Sequence, residues 1–211
     1  MTLQSNAWAD AGPIPERYAA GRVDATTAVA FAENVSPPLA WSGVPPGTRS
    51  SALVCHDPDV PSRPDDVKQP GREVPDDLPR LDFFHWVLVD LPAGTTRLSE
   101  GEFSRGFTPH GKGPETPHGA RQGINDYTGW FAADPERRGD YHGYDGPFPP
   151  FNDARMHRYV FTLYALDVAR LPLAGRFGGA DVRRAVQGHL LAQAAFSGTY
   201  TLNARLQGRA S

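Results

Sequence analysis

The chain has 211 residues and a formal net charge of -3, with 39% hydrophobic residues, 10% aromatics, 22 glycines and 21 prolines. That length and apolar content suffice for one domain over residues 1–211, and the weakly acidic balance excludes general attraction to nucleic acid or an anionic membrane. Cys55 is the only cysteine, so no internal disulfide can form, and no apolar run approaches the roughly 20 residues of a membrane span. The N-terminus lacks the basic start and apolar run of a signal peptide, so the expected location is cytoplasmic.

The first 35 residues contain "AGPIPERYA" and "TTAVAFAENV", which read as an entry strand or two. Ser36–Thr48 ("SPPLAWSGVPPGT") is turn chemistry around one aromatic anchor, Trp41. Ser51–His56 is a short apolar strand, expected to end at Asp57–Pro61 ("DPDVP") because proline removes ladder donors. A proline-rich polar loop, Ser62–Arg80, follows; a structureless stretch of that length is usually functional or mobile. Asp82–Asp90 ("DFFHWVLVD") alternates as a strand and places His85 on one face with Phe83, Val87 and Val89. After two irregular excursions, Arg158–Leu166 ("RYVFTLYAL") reads as a central strand. "ADVRRAVQGHLLAQA" has helical spacing, with Val182, Ala185, Val186, His189, Leu190 and Gln193 on one stripe and Asp181 placed to cap it. "GTYTLNARL" reads as the last strand. Trp41, Trp86, Tyr164 and Cys55 are expected in the core, while Trp130 and Tyr144 fit either the core or the mouth of a pocket. These elements predict a mainly β, antiparallel domain with long loops and a C-terminal helix.

Three short stretches carry chemistry. "HDPDVP" puts Asp57 at a strand end, "FHW" puts His85 inside a strand, and "MHRYVF" puts His157 and Tyr159 on one strand face. "GYDGPFPPF" adds a glycine-proline loop that fixes its own shape. An oxyanion wants charge-assisted donors. Two imidazoles, a tyrosine hydroxyl and turn N–H groups can offer them, with Asp57 orienting one imidazole. The same residues admit a structural polar cluster, an open two-histidine, one-carboxylate metal site, or an acid–base centre. A serine triad is disfavoured, because no G-x-S-x-G elbow is present.

The order DPDVP, HW, GPFPP, HRYVFTLYALD resembles the phosphatidylethanolamine-binding protein family, also called Raf kinase inhibitor-like proteins, and its bacterial branch in particular. The resemblance spans about Ser36 to Asp167 plus the final helix and strand. It implies an antiparallel β-sandwich with a small anion-binding pocket lined by Asp57, Pro61, His85, Gly146, Pro149, His157 and Tyr159. It implies a phosphate-like small anion or phospholipid head group as ligand; the proline-locked turn and the neighbouring tyrosine suit an oxyanion better than a tightly bound metal, and no cofactor is expected. A regulated kinase or protease, a homodimer and a cis peptide in the first proline turn are further implications. Exposed Phe107, Trp130 and Phe131 would give a homodimer apolar surface to cover. Three departures stand out. Phe148 replaces the cysteine usual in bacterial relatives, "FNDAR" lengthens the link to His157, and "WFAADPERRGDYH" looks inserted.

Overall fold

The computed structural model describes residues 1–207; the last four residues of the expected 1–211 domain lie outside the described residues. In chain order the strands are β1 (Thr2–Gln4), β2 (Gly21–Asp24), β3 (Ala28–Phe31), β4 (Leu39–Ser42), β5 (Ser50–Pro61), β6 (Arg80–Pro92), β7 (Arg97–Leu98), β8 (Arg121–Gln122), β9 (His157–Leu166) and β10 (Leu190–Tyr200). The helices are α1 (Tyr127–Trp130) and α2 (Gly179–Ala185). A five-stranded antiparallel sheet runs β10-β9-β5-β6-β8, facing a three-stranded sheet β1-β4-β7. The strands β2 and β3 form a separate hairpin.

The large sheet is covered on both faces, which is why Ser50–Cys55 of β5 is buried without interruption. Leu53, Cys55, Trp86 and Leu88 face the small sheet and pack with Leu39 and Trp41 of β4. Ala52, Val54, Val87 and Val89 face the other way, against Val182 and Val186 of the α2 segment. Trp41, Trp86, Tyr164 and Cys55 are buried as expected. Tyr144 is also fully buried, its hydroxyl donating to the Tyr18 carbonyl at 2.7 Å, so of the two ambiguous aromatics only Trp130 stays exposed. Phe107 and Phe131 are half-buried in one aromatic cluster with Tyr141, not free on the surface as expected.

Several local expectations change. The strand β5 does not stop at Asp57: it pairs with β6 as far as Pro61↔Arg80, with a bulge between Asp57 and Val60. Pairing with β9 ends at His56↔Val160, so Pro58 and Pro61 fall where no second neighbour needs their missing N–H. No peptide bond among the described residues is cis. The expected long C-terminal helix is cut at Gly188, and "LLAQAAF" becomes β10 paired along β9 from Leu190↔Leu166. The helical stripe ends at Val186, and Leu190 is exposed. Tertiary pairing overrides the local period there. Asp181 sits at the third helical position and accepts the Gly178 N–H at 2.9 Å, which closes the first turn from inside. The last strand ends at Tyr200, before "TLNARL".

Candidate ligand-binding cavity

The strand β6 reaches its histidine through a bulge. Between the pairs Cys55↔Trp86 and His56↔Phe84, β6 advances two residues against one on β5. His85 is the extra residue. A bulge breaks the alternation and re-aims a side chain. Phe84 therefore packs with Val87 and Val89 beneath α2, while Trp86 and Leu88 enter the inter-sheet core. His85 turns instead into a cavity beside Phe83, their ring centroids 5.0 Å apart. Of the expected face-mates only Phe83 accompanies it.

That cavity holds about 320 Å³. Asp57, Pro61, His85, Pro149, His157 and Tyr159 all line it, drawn from β5, β6, β9 and the "GPFPP" loop. Gly146 does not. Its N–H donates to Asn34 Oδ1 at 2.8 Å and its carbonyl accepts the Tyr127 hydroxyl at 2.9 Å. A Cβ there would lie 2.2 Å from the Tyr18 carbonyl oxygen, so only glycine fits behind the wall. The neighbouring Pro147, Pro149 and Pro150 have no N–H to give, and the loop acts as a rigid apolar wall rather than a nest of donors.

His157 is fully buried at the start of β9. Its Nδ1–H donates to Asp57 Oδ2 at 2.6 Å and its Nε2–H donates to Asp153 Oδ2 at 3.1 Å. Ionised carboxylates only accept, so two such partners require both ring hydrogens and an imidazolium. Burial opposes that charge, but the Asp57 and Asp153 carboxylates overcome it and raise the pKa from 6.5 to about 9. Asp153 is itself held by Arg80 through contacts of 2.6 and 3.1 Å, and Asp57 Oδ1 accepts the Asp59 N–H at 2.8 Å. His157 thus has no hydrogen left for a ligand. It neutralises the floor.

His85 is the opposite case. Its Nδ1 lies 2.7 Å from the Asp145 carbonyl. A carbonyl only accepts, so Nδ1 carries the hydrogen and Nε2 the lone pair. Burial lowers its pKa, with the Asp57 charge pulling the other way, and the ring is neutral near pH 7. Nε2 has no protein partner among the described residues. Next to it, at a ring-centroid distance of 5.1 Å, Tyr159 is 1% exposed; its buried hydroxyl has no partner in good hydrogen-bond geometry and only a weak approach to the Asp57 carboxylate. Burial, with the Asp57 charge added, raises the Tyr159 pKa well above 10.0. The floor therefore presents one hydroxyl donor and one imidazole acceptor side by side.

The family model for phosphatidylethanolamine-binding protein matches residues 4–201. The chain belongs to the phosphatidylethanolamine-binding protein family. It is 34% identical to a UPF0098 protein of Methanothermobacter thermautotrophicus over 95% of this chain and 98% of that protein. It is 31% identical to UPF0098 protein YbhB of Escherichia coli over 95% of this chain and 100% of that one. The crystal structure of Escherichia coli YbcL, a member of the same family, superimposes with a TM-score of 0.67 at 26% identity, covering 95% of this chain and 97% of YbcL.

The three stretches read as departures each shape the cavity of this phosphatidylethanolamine-binding protein family member. "FNDAR" supplies Asp153 to His157. It also supplies Asn152, whose Nδ2 donates to the carbonyls of Asp66, Gln69 and Arg72 and whose Oδ1 accepts the Lys68 N–H at 3.0 Å. One side chain so templates the long polar loop, which is neither structureless nor separate from the site. The stretch "WFAADPERRGDYH" gives Trp130, Phe131 and Arg137 to the cavity, and Phe148 adds another ring. Sequence reasoning missed Asp145, Asp153, Asn152 and Lys68. Only Asp153 left a signal, lying four residues before His157. Among the described residues no group of three His, Cys, Asp or Glu side chains is arranged to hold a metal ion, and no helix is long and apolar enough to cross a membrane.

Proposed function

We propose that the protein binds a small oxyanion, a phosphate or phosphoryl head group, in this cavity and returns it unchanged. The observation that carries the reading is the Tyr159 hydroxyl, buried with no partner in good hydrogen-bond geometry beside the free Nε2 of His85. A buried hydroxyl left unmatched is costly, and a ligand oxygen is the missing acceptor. His85 completes the site by taking a proton from a protonated ligand oxygen or by carrying one to it. Asp57 and Pro61, with Pro149 opposite, shape the walls. Acid–base catalysis by an Asp57–His157 pair finds less support, because both His157 nitrogens are already engaged. Regulation of a partner protein would use the same cavity as its ligand-dependent element. Pairing into a homodimer now rests on exposed Trp130, Leu190 and Leu191; a monomer mass in light scattering at micromolar concentration would count against it.

The test is calorimetric titration with inorganic phosphate and with glycerophosphoethanolamine, for the parent and for Tyr159→Phe. The variant is expected to lose about 1.5–3 kcal/mol of binding, the value of a hydrogen bond to a charged group. Its thermal stability is expected to change little, since the removed hydroxyl makes no well-formed hydrogen bond in the fold. Binding of phosphate but not of the glycerophosphate would assign a free anion; the reverse would assign a lipid head group. Absence of binding by both, or equal binding by parent and variant, overturns the reading.

A further inference from the structure

The cavity has a second polar feature besides its floor chemistry. Lys68, on the loop templated by Asn152, places its Nζ 4.9 Å from the Trp130 ring centroid and 4.9 Å from that of Phe148. Of the charged side chains lining the cavity, Asp57 faces His157 and Arg137 faces Asp134 at 2.5 Å. Lys68 lines the same cavity and has no carboxylate partner among the described residues. Burial lowers its pKa. Aromatic faces attract a cation but do not neutralise it. Phe31, Phe131, Val67 and Pro64 line the same cavity, so its mouth is a largely apolar, partly open surface holding one half-buried ammonium without a carboxylate partner.

We infer that this cavity is built for an organic anion with a compact, flat apolar body, in which Lys68 is the counter-ion and Trp130 and Phe148 grip the body. The inference rests on the oxyanion reading above and narrows it. A bare inorganic anion would satisfy Tyr159 and Lys68 but leave the aromatic walls wet. A neutral apolar molecule would fill the walls and cover the half-buried ammonium without giving it a counter-charge. Only a ligand that carries both parts matches the full lining. The cavity of about 320 Å³ suits a body of one ring rather than paired acyl chains. Loop placement matters as well: Asn152 fixes the Lys68 backbone, where φ is 60° and the chain would not rest unaided.

The experiment compares phenylphosphonate, inorganic phosphate and neutral benzamide by calorimetry. The parent should bind phenylphosphonate at least tenfold more tightly than phosphate, and benzamide hardly at all. Trp130→Ala should remove that preference while phosphate binding stays. Lys68→Met, which keeps most of the stem, should weaken phenylphosphonate tenfold or more, and Lys68→Arg should restore it. If phosphate binds through Tyr159 but phenylphosphonate gains nothing, or if Lys68→Met changes neither anion, this inference falls and the oxyanion reading stands. If neither anion binds the parent, both fall. Tight benzamide binding would also overturn it, since the ammonium would then play no part.

Discussion

Asp57 Oδ2 and His157 Nδ1 meet at 2.6 Å across 100 residues of sequence. Their contact lies where β5 and β9 have stopped pairing, and the gap is closed by side chains instead of a ladder. The pair is not at a half-open strand end. Asp57 is 1% and His157 0% exposed. His157→Ala would leave two buried carboxylates facing each other, a loss of about 3–5 kcal/mol. Urea unfolding of the variant against the parent measures it. A loss below about 1 kcal/mol would mean the carboxylates find other partners.

The same residue sets an alkaline limit. The folded pKa of His157 is about 9 against an ordinary 6.5. The folded state therefore holds the proton more tightly than the unfolded chain. The resulting stability is complete below pH 6.5 and drains away as pH rises towards 9, by up to about 3 kcal/mol. Urea midpoints between pH 6 and 9.5 should fall accordingly. Asp57→Asn removes one of the two charges that support the imidazolium, so its midpoint should fall over a narrower and more acid range.

His56 sets the acid side. Burial, reinforced by the Arg183 charge, lowers its pKa from 6.5 to about 4. The unfolded chain then binds the proton more readily, so this contribution is present above pH 6.5 and is lost as pH falls towards 4. Asp59 and Asp153 act in the same direction, since the Arg158 contact and the His157 and Arg80 contacts hold them below the usual carboxylate range despite burial. His56→Gln should flatten part of the acid limb and leave the alkaline limb untouched.

The sequence displayed the parts of the site that sit in short motifs with fixed strand periods. His157 and Tyr159 open β9 and Asp57 lies within β5 before its bulge, where alternation places side chains reliably. It did not display the bulge at His85, because one extra residue in a ladder changes no composition and no local spacing. The switch from helix to β10 was hidden for a similar reason: "HLLAQA" suits either period, and its pairing partner, Leu166 and the residues before it, lies over 20 residues away in the chain. Asn152 and Lys68 meet over a separation of 84 residues, with no motif to announce it. Gly146 was legible as a special residue but not for its reason, which is the backbone oxygen of Tyr18 behind it.

Gly146 gives a packing prediction with a binding consequence. A Cβ there meets the Tyr18 oxygen at 2.2 Å, and the backbone on both sides is buried. Gly146→Ala should cost about 1–3 kcal/mol of stability as the loop shifts. The shift would move the Asp145 carbonyl that orients His85, so anion affinity should fall too, although Gly146 does not touch the cavity. Unchanged affinity alongside lowered stability would show that the His85 tautomer does not depend on this loop.

The last prediction concerns that tautomer. With Nδ1–H held by the Asp145 carbonyl, His85 should show one protonated and one bare nitrogen in nitrogen-detected NMR at pH 7, whereas His157 should show two protonated nitrogens. The two rings should titrate on opposite sides of the ordinary range, His85 below 6.5 and His157 near 9. An oxyanion without a proton of its own can use His85 only after Nε2 is protonated. Binding at neutral pH must then take up a proton, either on His85 or on the ligand, and affinity should fall as pH rises, by up to tenfold per unit. His85→Gln offers an amide in place of a titrating ring and should flatten that profile while keeping part of the affinity. Proton uptake is read directly by calorimetry in buffers of different ionisation heat. Binding without uptake, with a profile that His85→Gln leaves unchanged, would remove His85 from recognition and leave Tyr159 and Lys68 to carry the anion alone.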